Sequence, residues 1–412
     1  MDRFIRRGGW RFPLAMSAVM LALLGIGMAL GVMLVPRGPW YRGGGFANSL
    51  ISWDGLWYLD VAQHGYSWNP STGMLPGHYQ NPDFYPLYPL IERLVMDILR
   101  NSAPAVFVAT GTAFGIASVF AFERLARRLL APDAARGATA IYAFWPASVY
   151  FTMGYPTGLI NLCALAALSA YVERRYWRPA LWCGIGTAAA PTLVFLAAGL
   201  CLDQGLAWLS GTRDVREIPR LIGFGLLSVS GLIGFIIFQW IALHDPLAFI
   251  KAQDAWGTSP PALVRLDRLF DIPRYFHLQT QAFQFFRHVH ATRNGRMTPA
   301  LRRDIQYNEQ FMLNGISFVL VLAGLMAAFR RVRPLAVPLA ALAGLIGYLW
   351  FIVATNQNMT ATPRLLYPAI AVFLGLGALT ARSRLLLAAL LSLLGALTVM
   401  NGVAAASGYF LI

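Results

Sequence analysis

The stretch LLLAALLSLLGALTVMNGVAAA, from Leu385 to Ala406, contains no charged residue. A helix needs about 20 mainly apolar residues to cross roughly 30 Å of hydrocarbon, and this stretch is long enough by itself. Four further stretches are nearly free of charge: Ala15–Val35, Leu221–Leu243, Ile316–Phe329 and Leu335–Ala354. Because a soluble protein would have to bury all of them, the sequence predicts an all-α, polytopic membrane protein.

The composition agrees with this prediction. Hydrophobic residues make up 57% of the 412 residues and charged residues 12%, whereas soluble proteins contain about 25% charged residues. The net charge of +15 is carried by short arginine clusters between apolar stretches, which indicates membrane topology rather than nucleic-acid binding. Cys163, Cys183 and Cys201 lie in apolar stretches, so neither a disulfide framework nor a metal site is predicted.

The arginine clusters also predict the topology, because cytoplasmic loops concentrate Lys and Arg near helix ends. Four arginines precede the first apolar stretch: Arg3, Arg6, Arg7 and Arg11. The N-terminus is therefore expected in the cytoplasm, and the first stretch is expected to be a retained membrane helix rather than a cleaved signal peptide. The Ala, Arg and Leu bias favours a bacterial plasma membrane; in a eukaryote the expected location is the endoplasmic reticulum.

Alternation of the clusters across the bilayer gives about eleven spans in one membrane domain, residues 1–412. Two long loops are predicted outside, at 37–103 and 244–310, and long loops are often functional. The spans after the first are predicted at residues 104–122, 138–153, 156–172, 179–210 as two short helices turning at Ala190–Pro191, 221–243, 311–329, 335–354, 364–380 and 385–406.

The first external loop contains WDGLWYLDVAQHGY, residues 53–66, followed by FYPLYP, residues 84–89. Asp54 lies between Trp53 and Trp57, and Trp and Tyr favour the membrane interface and stack on sugar rings. A carboxylate held in such surroundings suits a general base acting on a hydroxyl. The alternative is an amphipathic interfacial helix in which Asp54 is the N-terminal cap or first-turn anion.

Other polar residues outside the spans have simpler interpretations. Asp60 and His64 are four residues apart, which indicates a pair on one helix face rather than a metal site. Asp83 precedes the aromatic-proline run and is interpreted as a turn residue. Lys251 is equally consistent with binding a lipid phosphate and with reaching the interface from a helix end. Arg364 lies at the predicted outer end of a helix, where its guanidinium suits a phosphate.

Taken in order, these motifs resemble the PIG-V-like mannosyltransferases, relatives of the enzyme that adds the second mannose to glycosylphosphatidylinositol precursors. The resemblance rests first on the Trp53–Tyr66 and Phe84–Pro89 runs. It is extended by Asp245-Pro246-Leu247-Ala248-Phe249 with Gln253 and Trp256, and by Pro363-Arg364-Leu365-Leu366-Tyr367-Pro368. The matches follow one another along most of the chain.

The resemblance implies the GT-C architecture, with an acidic site on the first external loop and a polyprenyl- or dolichyl-phosphate sugar as donor. Carried over, Asp54 is the general base on a lipid or glycan acceptor, and Arg364, with Lys251 as a further candidate, holds the phosphate that leaves as the anomeric centre inverts. No cofactor is evident, although GT-C relatives vary in their need for a divalent cation. The residues expected to bind substrate are Trp53, Trp57, Tyr58, His64, Tyr66, Tyr85, Lys251, Gln253, Trp256 and Arg364.

The chain departs from the family pattern at two positions. Relatives usually have a small-Glu-small sequence where this chain has Gly154-Tyr155-Pro156-Thr157-Gly158, and an Arg where Ala190 precedes Pro191-Thr192. These departures keep an alternative open, in which the chain is a catalytically diverged relative that acts as a transporter or a lipid-handling membrane scaffold. The scarcity of ionisable residues within the predicted spans argues against a transporter.

Overall fold

Apolar helices make up most of the chain in this computed structural model. It describes residues 9–35, 37–38, 41, 43, 45–75, 77–101, 104–211, 214–256, 261–271, 273, 299–356 and 360–409, of which 299–311 and 356 by backbone only. None of these residues forms a strand. Arg3, Arg6 and Arg7, as well as much of the predicted loop at 244–310, lie outside the described residues.

The helices follow in this order: α1 (Arg11–Leu34), α2 (Phe46–Leu50), α3 (Asp54–His64), α4 (Leu87–Leu99), α5 (Pro104–Leu129), α6 (Pro132–Ala143), α7 (Thr157–Val172), α8 (Trp177–Thr187), α9 (Thr192–Ser210), α10 (Ile218–Ser228), α11 (Ser230–Leu243), α12 (Ala248–Lys251), α13 (Ala262–Phe270), α14 (Pro299–Arg331), α15 (Ala336–Tyr348), α16 (Ala354–Asn356), α17 (Thr362–Leu365), α18 (Ala371–Thr380) and α19 (Arg384–Ser407). Short 3₁₀ turns cover Pro146–Thr152, Val215–Glu217 and Ala252–Trp256, and a π turn covers Leu349–Val353.

Six of the described helices are long and apolar enough to cross a membrane: α1, α5, α9, α14 from Met312, α15 with its continuation to Val353, and α19. Two bent pairs qualify when each is taken as one span. Pro146–Thr152 and α7 meet at 112°, and Val215–Ser228 and α11 meet at 59°. The predicted all-α, multi-pass membrane fold is thus confirmed, whereas the count of about eleven spans stays a prediction.

Prolines explain the largest departures from the predicted spans. The span predicted at 138–153 is not one helix, because α6 ends at Ala143 and Pro146, which has no backbone donor, begins a 3₁₀ turn. The span predicted at 364–380 is divided into α17 and α18 around Pro368. The turn predicted at Ala190–Pro191 does separate α8 from α9.

Two further differences have other origins. The stretch 221–243 bends at Val229, and a Cβ on Gly231 would lie 2.2 Å from the Gly184 carbonyl oxygen, so the bend accompanies a close approach of α11 to α8. Helix α14 begins at Pro299, within the predicted loop 244–310. Apolarity alone could not reveal this polar first part of α14, because a helix leaving the bilayer needs no apolar residues.

Helices α1 and α19 pack against each other through small residues. A Cβ on Gly27 would lie 2.1 Å from the Val399 carbonyl oxygen, and small residues allow this close approach in membranes. At the far end of the pair, Gly38 N–H donates to the Ser407 carbonyl at 2.7 Å. Helix α19 has 24 residues and is therefore about 36 Å long. Arg384, its first residue, lies far from the end of the α1–α19 pair at which α1 is followed by α2 and α3.

A buried aromatic cluster supports the segments that carry the site. The Tyr142 ring stacks on Phe122 at 4.4 Å and contacts Tyr367 at 4.9 Å and Phe373 at 5.2 Å between ring centroids. The Tyr367 hydroxyl donates to the Tyr142 carbonyl at 2.7 Å. These contacts hold the end of α6 against the chain that follows α17.

Candidate active site

Asp54 is the first residue of α3, and its position is determined by the turn before it. Trp53 has φ 51° and ψ −122°, a backbone conformation that costs a non-glycine residue of order 1–3 kcal/mol. Asp54 N–H donates to the Tyr155 hydroxyl at 3.1 Å, and that hydroxyl donates to the Ser52 carbonyl at 3.3 Å. A free N–H of the first helical turn is thereby satisfied, and the positive end of α3 favours the Asp54 carboxylate.

Arg364 lies on α17, a single turn held by buried hydrogen bonds. The Trp145 indole N–H donates to the Pro363 carbonyl at 2.7 Å. The hydroxyls of Tyr348 and Thr362 are 2.6 Å apart, and Thr362 N–H donates to the Asn314 side-chain oxygen at 2.8 Å. The turn therefore connects to three separate parts of the bundle, which restricts the position of the Arg364 backbone.

The structure brings Asp54 and Arg364 together across 310 positions of sequence. Arg364 Nη1 donates to Asp54 Oδ2 at 2.5 Å, with side-chain exposures of 25% and 30% respectively. The guanidinium carbon also lies 5.3 Å from the Tyr150 ring centroid and 5.4 Å from that of Tyr155. Burial lowers the pKa of Arg364, but Asp54 and the two tyrosines raise it by more than burial lowers it. The net shift of the pKa is upward, and the side chain stays cationic.

Further donors remain on the guanidinium. Arg364 Nε is buried with no hydrogen-bond partner, and Arg has five N–H donors in a planar fork. Asp54 therefore uses only part of the hydrogen-bonding capacity of Arg364. An anion that enters this site can be bound by the rest.

Tyr58, one helical turn after Asp54, lines the same site. Its ring makes edge contacts with Phe84, Tyr88 and Tyr155, with centroids 5.2, 5.7 and 6.4 Å away. Burial raises the pKa of Tyr58, and the Asp54 charge raises it further. Tyr58 is therefore a neutral hydroxyl beside the Asp54–Arg364 pair.

Asp83 is the residue whose place in the site the sequence interpretation missed. The Trp256 indole N–H and the Gln253 amide donate to Asp83 Oδ2 at 2.9 and 3.0 Å, while Oδ1 is buried without a partner. Burial, then the charge of Asp54, raise the pKa of Asp83 to about 7, against a smaller lowering by Trp256. Asp83 does lie in a turn, as predicted, in which Phe84 N–H donates to the Asn81 carbonyl at 3.2 Å, and its side chain has this second set of contacts as well. The only signal in the sequence was its position directly before the aromatic-proline run.

The other aromatic residues expected to bind substrate pack around this centre. Trp57 stacks on Phe84 at 5.8 Å. The Tyr66 hydroxyl donates to the Phe84 carbonyl at 2.6 Å, and the Tyr85 ring lies 5.2 Å from Phe235. Trp53 packs against the buried core. All these contacts are with other protein groups, so these aromatic residues support the side chains that line the site.

Two predicted residues are paired with other carboxylates. His64 is at the other end of α3, about 15 Å along the helix from Asp54, where its side chain is 72% exposed and Nδ1 is 3.0 Å from Asp60 Oδ1. The helix-face pair expected for these two residues is present. Lys251 is bound to Asp245 at 2.8 Å, and Asp245 also accepts from the Trp68 indole at 3.2 Å.

No metal cluster is found in the part of the chain that the structure describes, where three His, Cys, Asp or Glu side chains nowhere come together as possible ligands. The three cysteines are free thiols. Among the described residues, the cation in contact with Asp54 is Arg364. The cluster thus combines a carboxylate, a guanidinium with spare donors and a second, half-buried carboxyl group.

Comparison with solved structures finds an archaeal oligosaccharyltransferase. The crystal structure of the Archaeoglobus fulgidus enzyme in complex with Zn and sulfate is similar over 95% of this chain and 53% of that chain, with a TM-score of 0.49 and 15% identity. Its apo form is similar over 95% and 56% of the two chains, with a TM-score of 0.47 and 15% identity.

Comparison with known sequences finds mannosyltransferases. The human and mouse proteins named GPI alpha-1,6-mannosyltransferase 2 are each 25% identical to this chain over 214 residues, 48% of this chain and 41% of theirs. The matched part thus spans less than half the length of these relatives. A family model, Mannosyltransferase (PIG-V), matches residues 41–256 of the 412. This match covers more than half of the chain, including Asp54 and Asp83, and the chain therefore belongs to the PIG-V mannosyltransferase family.

Proposed function

We propose that this protein is a membrane mannosyltransferase that uses a polyprenyl- or dolichyl-phosphate sugar as donor and a lipid or glycan as acceptor. The observation that carries the proposal is the 2.5 Å contact between Asp54 and Arg364 in a member of this family. A carboxylate and a guanidinium side by side supply a base for a hydroxyl and a cation for a phosphate.

The proposed reaction is a single displacement. The Asp54 carboxylate accepts the proton of the acceptor hydroxyl as the hydroxyl oxygen forms a bond to C1 of the donor sugar. The bond from C1 to the phosphate oxygen breaks, and its electron pair leaves with the lipid phosphate. Attack opposite the leaving group inverts the anomeric centre, and Arg364 stabilises the charge that develops on the phosphate.

We assign the phosphate to Arg364 rather than to Lys251. The Lys251 ammonium is bound to Asp245, so a phosphate would have to compete with a carboxylate already in place. Arg364 also contacts a carboxylate, but its spare N–H donors allow it to bind a second anion at the same time. In this division of roles the charge on the phosphate is met by the Arg364 side chain.

Transfer of radiolabelled mannose from polyprenyl-phosphate mannose by the purified protein tests the proposal. Asp54→Asn removes the base with little change of shape, and transfer is expected to fall by 10²–10⁴-fold. Asp97→Asn, at an exposed position of α4, is the matched control and should transfer normally. Normal transfer by Asp54→Asn would refute the assigned base.

We further propose that the site faces the non-cytoplasmic side of the plasma membrane, or the lumen of the endoplasmic reticulum in a eukaryote, with the N-terminus in the cytoplasm. In support, α1 leads from Arg11 towards the segment before Asp54 over 24 residues. In cells, a membrane-impermeant maleimide should label the exposed variant Ser71→Cys and not Ser210→Cys, at the far end of α9. The reverse labelling would place the N-terminus outside.

The alternative of a transporter or lipid-handling scaffold rested on the departures in the segment Gly154–Gly158 and at Ala190, and it is not favoured. Within that segment, the Tyr155 hydroxyl accepts from the Asp54 N–H and the Tyr155 ring contacts Arg364. The segment therefore supports the pair although it lacks the usual Glu. Substrate flux in proteoliposomes without sugar transfer would reverse this preference.

A further inference from the structure

A pair of half-exposed aromatic rings lies at the edge of the site. The Tyr79 and Trp256 ring centroids are 4.2 Å apart with an angle of 33° between the planes. Each ring covers one face of the other, yet both side chains remain 45% exposed. The exposed area must therefore be largely on the outer faces and edges. Neither residue lies on a helix long enough to span the membrane.

Asp83 determines how this pair is oriented. It accepts from the Trp256 indole at 2.9 Å and from the Gln253 amide at 3.0 Å. A backbone hydrogen bond of 3.0 Å from Gly77 to Ala255 runs beside them. Three hydrogen bonds thus join the first external segment to the turn Ala252–Trp256, and they hold the indole ring against Tyr79.

The pair is also close to the proposed reaction centre. Asp54 is close enough to Asp83 for its charge to act on the Asp83 carboxyl group, and the charges of both residues and of Arg364 act on Tyr58. Asp54, as the proposed base, acts on the acceptor, whereas Arg364 is assigned to the donor phosphate. A binding surface joined to Asp83 therefore suits the acceptor.

We propose that Tyr79 and Trp256 form a stacking platform for a pyranose ring of the acceptor, and that Asp83 is the positioning residue of this platform. This inference rests on the proposed glycosyltransferase function, and it extends it by assigning the acceptor side of the site. The family resemblance suggested a substrate role for Gln253 and Trp256, whereas Tyr79 and Asp83 emerge from their contacts. Aromatic faces bind the C–H faces of sugars, and neighbouring polar side chains bind their hydroxyls.

A bilayer anchor is the competing role for exposed Trp and Tyr side chains. Interfacial Trp keeps its N–H directed to water or head groups. Here the Trp256 N–H is instead bound to the half-buried Asp83 carboxyl group. An anchor also has no need of the amide of Gln253 at the same carboxyl oxygen. These contacts favour a rigid, protein-bound platform.

Saturation-transfer NMR on the full-length protein in lipid nanodiscs tests the platform directly. The probe is methyl α-D-mannopyranoside, which has no phosphate for Arg364, measured with polyprenyl-phosphate mannose present to occupy the donor site of the Asp54→Asn variant. Trp256→Ala and Tyr79→Ala are each expected to reduce the transfer signal at least fivefold in that background. Trp256→Phe keeps an aromatic face but loses the hydrogen bond to Asp83, so its signal should lie between those of Trp256→Ala and the parent. Tyr79→Ala loses none of the three hydrogen bonds that join the two segments. It therefore tests the platform even if Trp256→Ala folds poorly.

Two results would overturn the platform. One is a sugar signal that is absent or equal in both alanine variants and their parent. The other is an unchanged sugar signal together with reduced fluorescence quenching by brominated lipids in Trp256→Ala, which would identify a bilayer anchor. Because the readout is binding, it stays separate from the transfer assay. Failure of transfer with a platform-dependent signal would refute the proposed function alone.

Kinetics of transfer separate positioning from catalysis. Asp83→Ala is expected to raise the KM for acceptor about tenfold, equivalent to about 1.4 kcal/mol, with the KM for donor unchanged. Asp83→Asn keeps an acceptor oxygen for Trp256 and should restore the KM to within about threefold. Equal loss of kcat in both variants, with no change in either KM, would contradict a positioning role.

Discussion

Replacing Arg364 changes two proposed interactions whose sizes follow from the structure. Arg364→Gln removes the cation, which lies 2.5 Å from Asp54 and 5.3 and 5.4 Å from the centroids of two tyrosine rings. Losing one partner of a buried ion pair costs about 3–5 kcal/mol, and the lower value applies because both side chains are a quarter to a third exposed. A lost charge-assisted hydrogen bond to the donor phosphate costs about 1.5–3 kcal/mol, which is about 10- to 150-fold in affinity.

The assay uses the released product, polyprenyl phosphate, as a competitive inhibitor of transfer. Its inhibition constant should rise about 10- to 150-fold in Arg364→Gln and about tenfold in Arg364→Lys, since Lys keeps the charge but not the planar fork. Arg382→Gln, at an exposed position at the other end of the fold, should leave it unchanged. Thermal unfolding in detergent identifies variants that fail to fold.

One result would refute the assignment of Arg364 to the donor phosphate and leave the assignment of Asp54 as the base unaffected. If Arg364 only holds the carboxylate in place, Arg364→Gln should lower kcat, because the base is then less well positioned. The inhibition constant for polyprenyl phosphate would then be unchanged. That combination would make Arg364 a partner of the base with no contact to the donor.

Three further outcomes are expected. The pKa of Asp83 is raised from 3.8 to about 7, so between these pH values the folded state keeps a proton that the unfolded chain releases. The thermal unfolding temperature should therefore fall as pH rises from about 4 to 7. Asp83→Asn should flatten this dependence on pH. Tyr155→Phe removes the hydroxyl bound to the Asp54 N–H and should slow transfer about tenfold through a misplaced base, a loss of about 1.4 kcal/mol, while an unchanged kcat would show that the hydroxyl is dispensable. Gly27→Ala should destabilise the protein by about 1–3 kcal/mol in thermal unfolding, because its Cβ would lie 2.1 Å from the α19 backbone, whereas Gly25→Ala has open space and should be neutral.

The lengths of the apolar stretches predicted the class of fold correctly, but they predicted the wrong helix bounds where a stretch contains a proline. Stretches such as α1 and α19 need no partner to be recognised, because the bilayer requires about 20 apolar residues in a helix. Pro146 and Pro368 divide two predicted spans, and a proline within an apolar run does not by itself reveal whether the helix bends or ends. Thus the helical membrane class followed from local composition, and the bounds of individual spans did not.

Asp54 and Arg364 each stood out locally, the first by its aromatic neighbours and the second by its place at a helix end. Asp83 did not, because the Asp83–Pro86 run has the composition of an ordinary turn. Its significance comes from Gln253 and Trp256, more than 160 positions away in the chain. A pattern of neighbouring residues contains no information about such a partner.

The sequence by itself determined that this chain is a helical, multi-pass membrane protein of recognisable family, since apolar length, arginine placement and motif order are local properties. Only the tertiary structure decided that Asp54 pairs with Arg364, that Lys251 pairs with Asp245, and that Asp83 orients Trp256. Each of these is a contact between segments far apart in the chain. Such contacts depend on how helices pack around the Tyr142 aromatic cluster, and helix packing is set jointly by many side chains.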